Sequence, residues 1–426
     1  MELKTEEKKG FKRTDVGLIP EDWEVKSLGD LLVRSELGGN YSNSEELTEN
    51  PLIKMGNLNR GSINLSKFEY IKNDDKVSEK HLLKKGDLLF NTRNTPQLVG
   101  KIAIWRNELK RAYYNSNLLK LEFDPNYIYS NFFMNYLLNT EYFIEKLSSI
   151  ATGTTSVAAI YTRDLYKLNV PVPPPEEQQA IASALSDVDK LIRSLDGLIQ
   201  KKEAIKKGTM QQLLTGIKRL PGFDGEWEVK RLGEIGITIN GLSGKTKSDF
   251  GNGNHPYITF MNVMSNTVID TSIFDTVKVR RGESQSEIKK GDLLFNTSSE
   301  TPEEVGMCSV LLENVENLHL NSFCFGYRIH EQDEVLPLFL AYYFRSEFGR
   351  KHMQALAQGS TRYNLSKSKF VKIEIELPTY EEQKAITQIL SDMDRELQTL
   401  RQKREKYVQI KQGMMQELLT GRVRLV

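Results

Sequence analysis

The string KKGDLLFNT occupies positions 84–92 and returns letter for letter at 289–297, 205 positions later. Three other stretches repeat at nearly the same distance. PPPEEQQAIASALSDVD (173–189) matches LPTYEEQKAITQILSDMD (377–394), with Glu176 falling on Glu381. MQQLLTG (210–216) matches MQELLTG (415–421), and DWEVKSLGDL (22–31) matches EWEVKRLGEI (226–235). The repeating unit is about half the chain, far longer than the roughly 20–50 residues of solenoid or propeller repeats. Two copies of so large a module imply a pseudo-dimer, and a pseudo-dimer suits a ligand that is itself in two parts.

At roughly 100–200 residues per domain, 426 residues imply two to four domains. The 39% hydrophobic and 27% charged residues fit a globular protein with ample core. A net charge of +1 excludes a uniformly basic nucleic-acid binder but permits local basic patches. Cys308 and Cys324 form no CxxC pair and no disulfide framework, as expected in a reducing compartment. The charged segment 1–15 has no apolar core of a signal peptide, and no apolar run approaches the ~18 residues of a membrane span. The expectation is a soluble, cytoplasmic protein.

Each copy has two parts. The first mixes strand-like runs (KIAIW, 101–105; LLKLEF, 118–123; YKLNVPV, 166–172; KFVKIEIEL, 369–377) with helical stretches at 130–147 and 337–356. This reads as an α/β (α+β) globular domain. The second part reads as a helix of about 40 residues, roughly 60 Å long. Prolines 173–175 open the first copy, Glu176 and Glu177 suit the helix dipole, and Gly216 and Gly421 are candidate C-caps. The expected bounds are 1–172, first globular domain; 173–221, central helix; 222–377, second globular domain; 378–426, C-terminal helix. Ile181, Leu185, Val188, Ile192, Leu195 and Ile199 follow a 4-3-4-3-4 spacing, and Ile386, Leu390, Met393, Leu397 and Leu400 continue it in the second copy. Such an a/d seam predicts that the two long helices pair, antiparallel, with a globular domain at each end. The alternative is that each helix packs on its own globular domain.

The order W-x-V-x-x-L-G, K-x-G-D-L-L-F, P-x-x-E-Q-x-x-I and L-L-T-G, all of it twice, resembles the specificity subunit of type I restriction-modification systems. The resemblance runs from about Leu18 to the C-terminus. It implies two DNA target recognition domains, each reading one half of a split target, on an antiparallel coiled coil that sets the spacing. It implies a non-catalytic chain that binds double-stranded DNA and two methyltransferase subunits. In a complex that also cleaves, two translocating endonuclease subunits join. S-adenosylmethionine, ATP and Mg are then expected on the partners, and no cofactor on this chain. Because the variable parts differ, the two half-targets are expected to differ.

Base edges and phosphates are met by Arg, Lys, Asn, Gln, Ser and Thr. After the shared nonapeptide the copies diverge at once, to Arg93, Asn94 and Thr95 in one and Ser298, Ser299 and Glu300 in the other. Further candidates are Thr154 and Thr155 in ATGTTSVAAIY (151–161), and Ser360, Thr361, Arg362, Tyr363 and Asn364 in AQGSTRYNLSK (357–367). Asn57 and Asn262 coincide between copies, as do Asn91 and Asn296; a repeated Asn in a turn is more often a local backbone cap than a base reader. Lys84, Lys85, Lys289 and Lys290 could touch phosphate, although KKGDLLF reads first as a Gly-Asp turn and an apolar strand. Lysines 201, 202, 206 and 207 read as a solvated helix face or docking surface. Gln178, Gln179, Gln383 and Lys384 are candidate partner contacts. So are Leu213, Leu214, Leu418 and Leu419, with core packing as the rival reading.

Catalytic signatures are missing. GLSGKT (241–246) lacks the first glycine of a phosphate loop, because Ile239 stands there. GNGNHP (251–256) has Pro256 where a dinucleotide fingerprint needs its third glycine. The five histidines show no metal-ligand spacing. Two other classes compete with the DNA reader: a structural adaptor with two protein-binding heads, and a nucleotide-dependent enzyme built around Gly244–Thr246.

Overall fold

The computed structural model describes residues 10–154 and 156–425. The chain forms two compact units, Met1–Leu195 with Lys403–Val426, and Asp196–Gln402. Both boundaries fall inside the long helices, which span Pro175–Leu213 and Tyr380–Leu418 at 39 residues each. Each unit therefore contains one globular domain, the first half of that domain's own helix and the closing half of the other.

The first unit is built on a four-stranded antiparallel sheet in the order Ile102–Ile104, Leu88–Asn91, Leu118–Phe123, Leu32–Leu37. Leu88 lies opposite both Ile104 and Leu121. The second unit repeats the layout with Cys308–Val310, Leu293–Asn296, Cys324–Ile329 and Gly236–Asn240. The central strand in each is the LLFN of the repeated nonapeptide, buried at all four positions. A strand covered on both faces needs this unbroken apolar run rather than alternation. A two-stranded ribbon joins the start of each copy to the strand before its helix, Glu24–Ser27 with Asn169–Val172 and Glu228–Arg231 with Glu374–Leu377.

The helical stretches are each two helices. Asn131–Leu137 and Glu141–Ser149 are separated at Thr140, and Pro337–Arg345 and Glu347–Leu356 at Ser346, both with extended backbone. Ser346 Oγ accepts from the Gly349 N–H at 3.2 Å, so its side chain starts a new helix instead of continuing the old one. The run 369–377 is likewise only partly strand: Lys367–Phe370 is a helical turn, and pairing begins at Glu374.

The long helices pack on their own globular domains more than the seam reading anticipates. Ile181 and Leu185 lie in one core with Trp23, Phe90 and Phe133; Ile386 and Leu390 lie in the other with Phe295, Phe339 and Phe370. Leu418 and Leu419 close the first core, and Leu213 and Leu214 the second, which makes these leucines core residues rather than partner contacts. Of the remaining seam positions, Leu195, Ile199 and Leu397 are buried, while Val188, Ile192, Met393 and Leu400 are half-buried.

Within each unit the two helical segments run antiparallel, and ion pairs between them, most of them partly buried, fix their register. In the first, Asp189 meets Lys411 at 2.7 Å and Glu177 meets Arg424 at 2.6 Å. In the second, Glu203 meets Arg401 at 2.5 Å, Asp394 meets Lys206, and Glu382 meets Arg219 at 2.6 Å. The pattern is pseudo-symmetric. Tyr136 donates to Asp189 (2.7 Å) under Lys411, as Tyr342 donates to Asp394 (2.8 Å) under Lys206. Burial, and then the Asp189 charge, push the Tyr136 phenol up to about 12. Lys202 and Lys206 are half-buried in ion pairs with Glu396 and Asp394, whereas Lys201 and Lys207 are exposed, Lys207 lying 3.7 Å from Glu347. Gly216 and Gly421 adopt left-handed φ values of 68° and 67° beyond the helix ends, as expected of C-caps. No helix among the described residues is long and apolar enough to cross a membrane.

Candidate nucleic-acid interface

Beyond the central strand, each copy carries a small three-stranded sheet. In the first unit Arg93–Asn94 pairs with Ala158–Ala159, which pairs with Thr152–Gly153. In the second, Ser298–Ser299 pairs with Tyr363–Leu365, which pairs with Ala357–Gln358. The last strand pair of each sheet is a hairpin whose tip is exposed: Thr154, Ser156 and Val157 in one, Ser360, Thr361 and Arg362 in the other. Gly153 (φ 154°) and Gly359 (φ 134°) hold the two tips, and a Cβ on either would collide with a carbonyl across the hairpin. The strand that diverges right after the shared nonapeptide and the divergent hairpin are therefore one surface. The side chains of Arg93 and Arg362 are exposed and form no hydrogen bond or ion pair among the described residues. Asn94 is half-buried, its carbonyl oxygen accepting from the Thr95 N–H; Tyr363 is half-buried and Asn364 exposed. Thr155 lies outside the described residues.

Several other candidates are removed from this surface by burial. Asn57 is buried and accepts from the Lys54 N–H (2.9 Å) while donating to the carbonyls of Asn64 and Lys67. Asn262 donates to the Asp270 carbonyl (2.8 Å) and accepts from its N–H. Asn296 donates to the carbonyls of Ser298 and Glu304 and accepts from the Met307 N–H. Asn91, also buried, accepts from the Arg93 N–H at 3.3 Å. These four asparagines are buried and bonded to backbone turns, the capping role that the sequence also allowed. Ser298 is buried too, on the strand that pairs with the hairpin.

Lys84, Lys85, Lys289 and Lys290 are exposed but stand at the opposite end of the central strand from the small sheet. Each KKGD forms a closed turn: the Lys84 N–H donates to Asp87 (2.9 Å) and the Lys289 N–H to Asp292 (2.7 Å). Gly86 and Gly291 take φ values of 94° and 89° in these turns. Asp292 is fully buried and receives a two-pronged pair from Arg328 at 2.8 and 2.6 Å. In the second unit Lys290 lines a cavity of about 420 Å³ with Lys384, Thr387 and Gln388 of the long helix, so it faces the helix rather than the hairpin. Gln178 and Gln383 are buried as well. Each uses its amide to tie the helix start to the domain, Gln178 to Tyr127, Tyr129 and Pro173, Gln383 to Glu334, Leu336 and Pro378. Gln179 and Lys384 remain exposed.

The enzyme-like motifs are structural. Gly244 turns with φ 66°, the Lys245 ammonium is buried against Glu283 and the Lys278 carbonyl, and Thr246 contacts Asp249. Lys245 holds the Glu283 carboxyl down to about 2. GNGNHP lies within the strand Phe250–Ile258. No cluster of three or more potential metal ligands occurs among the described residues. An exposed aromatic beside the second small sheet, Phe323, escaped the sequence reading; its only signal is an apolar residue in an otherwise polar turn, NSFC.

This duplicated architecture, with a shared frame and a divergent polar hairpin in each copy, corresponds to one family. The profile described as "Type I restriction modification DNA specificity domain" matches residues 20–205 and again 224–409, and the chain belongs to that family. Among relatives, it is 29% identical over 438 residues to the putative type I restriction enzyme MjaX specificity subunit of Methanocaldococcus jannaschii, covering 97% of both chains. It is 27% identical to the MjaVIII specificity subunit of the same organism, over 96% of this chain and 94% of that one. The EcoKI specificity subunit of Escherichia coli is 24% identical over 87% of this chain and 82% of its own. The crystal structure of a type I restriction-modification S subunit from M. genitalium shares the fold, with a TM-score of 0.57 at 16% identity over 93% of this chain and 96% of that one.

Proposed function

We propose that this chain is the DNA sequence-specificity subunit of a type I restriction-modification complex, reading a bipartite, asymmetric target with one recognition domain per half. One observation carries the reading: identical frames end, at Thr92 and Thr297, and lead into small sheets whose hairpins share a tip glycine but differ at most other exposed positions. A common scaffold with different tips is what reading two unlike half-sites requires. Phosphate contacts made by the exposed Lys and Arg side chains supply affinity, and the hairpin tips supply base discrimination. The chain itself is non-catalytic and cytoplasmic in this reading. Two methyltransferase subunits, one per copy, bring S-adenosylmethionine, and endonuclease subunits bring ATP- and Mg-dependent cleavage. The domain bounds proposed are those of the repeat, with recognition domains at 1–172 and 222–377 and helical segments at 173–221 and 378–426. Nothing in the arrangement favours a protein-binding adaptor, and the motif around Gly244–Thr246 is a closed turn.

Exchanging residues 1–172 for the first domain of another family member tests this. The methylated sequence is expected to change in one half only; a change in both halves contradicts independent recognition domains. DNA affinity that does not fall with added salt contradicts a DNA-binding role altogether.

A further inference from the structure

The second small sheet carries two side chains for which the fold itself has no use. Phe323 is 53% exposed, although its backbone is pinned: its carbonyl accepts from the Thr297 N–H at 2.8 Å and the Thr297 hydroxyl at 2.5 Å. Arg362, at the hairpin tip, lies over the Phe323 ring with its guanidinium carbon 5.6 Å from the centroid. That guanidinium makes no hydrogen bond or ion pair among the described residues. Arg345 and Arg350 on the adjoining helices behave differently, directing theirs onto backbone carbonyls of residues such as Val263 and Gly306. Leaving a phenyl ring in water is unfavourable, so Phe323 contributes little to the unit's own stability. The ring's attraction for the cation favours one position of the guanidinium, whose hydrogen-bond donors stay unpaired among the described residues, and so lessens the side-chain freedom lost on binding.

The first unit has the site without the device. Asn117 takes the place of Phe323, its carbonyl accepting from Thr92 N–H (3.1 Å) and hydroxyl (3.0 Å). Its hairpin, 152–159, contains no arginine. The stack is thus a feature of one reading head on a frame common to both.

We propose that Arg362, stacked on Phe323, reads a guanine through the major groove in the half-target of the second unit, while Phe323 makes the apolar contact to the neighbouring base pair. A planar two-pronged donor matches the O6 and N7 acceptors of guanine, and a phenyl ring matches a thymine methyl group. The proposal rests on the DNA-specificity reading above and names the residues that carry it in one head. The test uses the full-length chain co-expressed with its methyltransferase subunits, as wild type, R362A, R362K and F323A. Each complex is given a pool of duplexes randomised across the target; methylated products are sequenced, and affinity is measured at two salt concentrations. The wild type is expected to demand guanine at one position, and R362A to relax that position roughly tenfold to a hundredfold without touching the other half. R362K is expected to retain part of the preference, and F323A to relax the adjoining pair. Uniform weakening with an unchanged motif and a salt slope smaller by about one would identify a phosphate contact and overturn the proposal. An unchanged motif at unchanged affinity overturns it too. If the wild type selects no sequence at all, the DNA-specificity reading fails with it. Both residues are exposed, so variant melting temperatures should match the wild type; Arg362→Gln replaces any variant that does not fold.

Discussion

Asn91 and Asn296 occupy the same place in an identical nonapeptide, yet replacing them should have unequal consequences. Asn296 is fully buried and makes three side-chain bonds to backbone, at 3.2, 3.0 and 2.6 Å. Ala at 296 removes all three and leaves one N–H and two carbonyls without these buried or part-buried bonds. At about 0.5–1.5 kcal/mol per bond, with more for a group left unsatisfied, the expected loss is about 2–4 kcal/mol. Asn91 makes one longer bond, at 3.3 Å, and its amide nitrogen has no partner among the described residues, so Asn91→Ala should cost about 0.5–1 kcal/mol. For a unit of this size each kcal/mol moves Tm by about 2–4 °C. Calorimetry of the full chain should therefore show a transition lowered by about 4–16 °C for Asn296→Ala and by about 1–4 °C for Asn91→Ala. Asn296→Asp should be worse than Ala, since it turns a carboxylate toward two carbonyls. Equal shifts in the two units would refute the hydrogen-bond accounting. A folded Asn296→Ala protein with an altered DNA target would refute the assignment of this residue to the scaffold.

Two further outcomes follow from the packing. Leu185→Ala, at a fully buried core position, should destabilise the first unit by about 2–5 kcal/mol, whereas half-buried Val188→Ala should cost clearly less; similar costs by chemical denaturation would mean that the helix does not pack as described. The Arg424 guanidinium, hydrogen-bonded to Asp22 at 2.7 and 2.9 Å, holds that carboxyl below its ordinary range. A depressed folded pKa stabilises above the unfolded value of about 4, and that stabilisation is lost as pH falls through the lower folded value. Arg424→Ala should therefore flatten the acid limb of the stability profile below about pH 4. An unchanged limb would show that this contact contributes nothing in solution.

The duplication and the two long helices were legible because they are written in local spacing: 205-residue repeats and 4-3-4-3 apolar runs survive any tertiary arrangement. What those helices pack on was less legible. Ile181 and Leu185 fit an a/d seam, but the same spacing serves a helix laid on its own domain, and only the partners Trp23, Phe90 and Phe133 decide between the two. The repeated asparagines were ambiguous for a related reason. A polar residue shared by both copies can be a reader or a cap, and only the fold shows that these four are buried and bonded to nearby backbone. Gln178 shows this best: its amide bonds reach Tyr127 and Tyr129, about 50 residues upstream, so nothing local marks it as buried. The hairpin candidates stood out as a group for another reason: abrupt divergence after an identical frame is visible in one sequence. Pairing of that divergent strand with the hairpin, and the Phe323–Arg362 stack, needed the fold.

The most direct measurement is genome-wide mapping of DNA base methylation in the source cell with and without this gene. Loss of methylation at one split motif, with two unlike halves around a fixed unread spacer, is the predicted result. Methylation that disappears at a continuous or symmetric site, or an unchanged methylation map alongside an active partner methyltransferase, would contradict the claim that two divergent recognition domains on a common frame read one bipartite target.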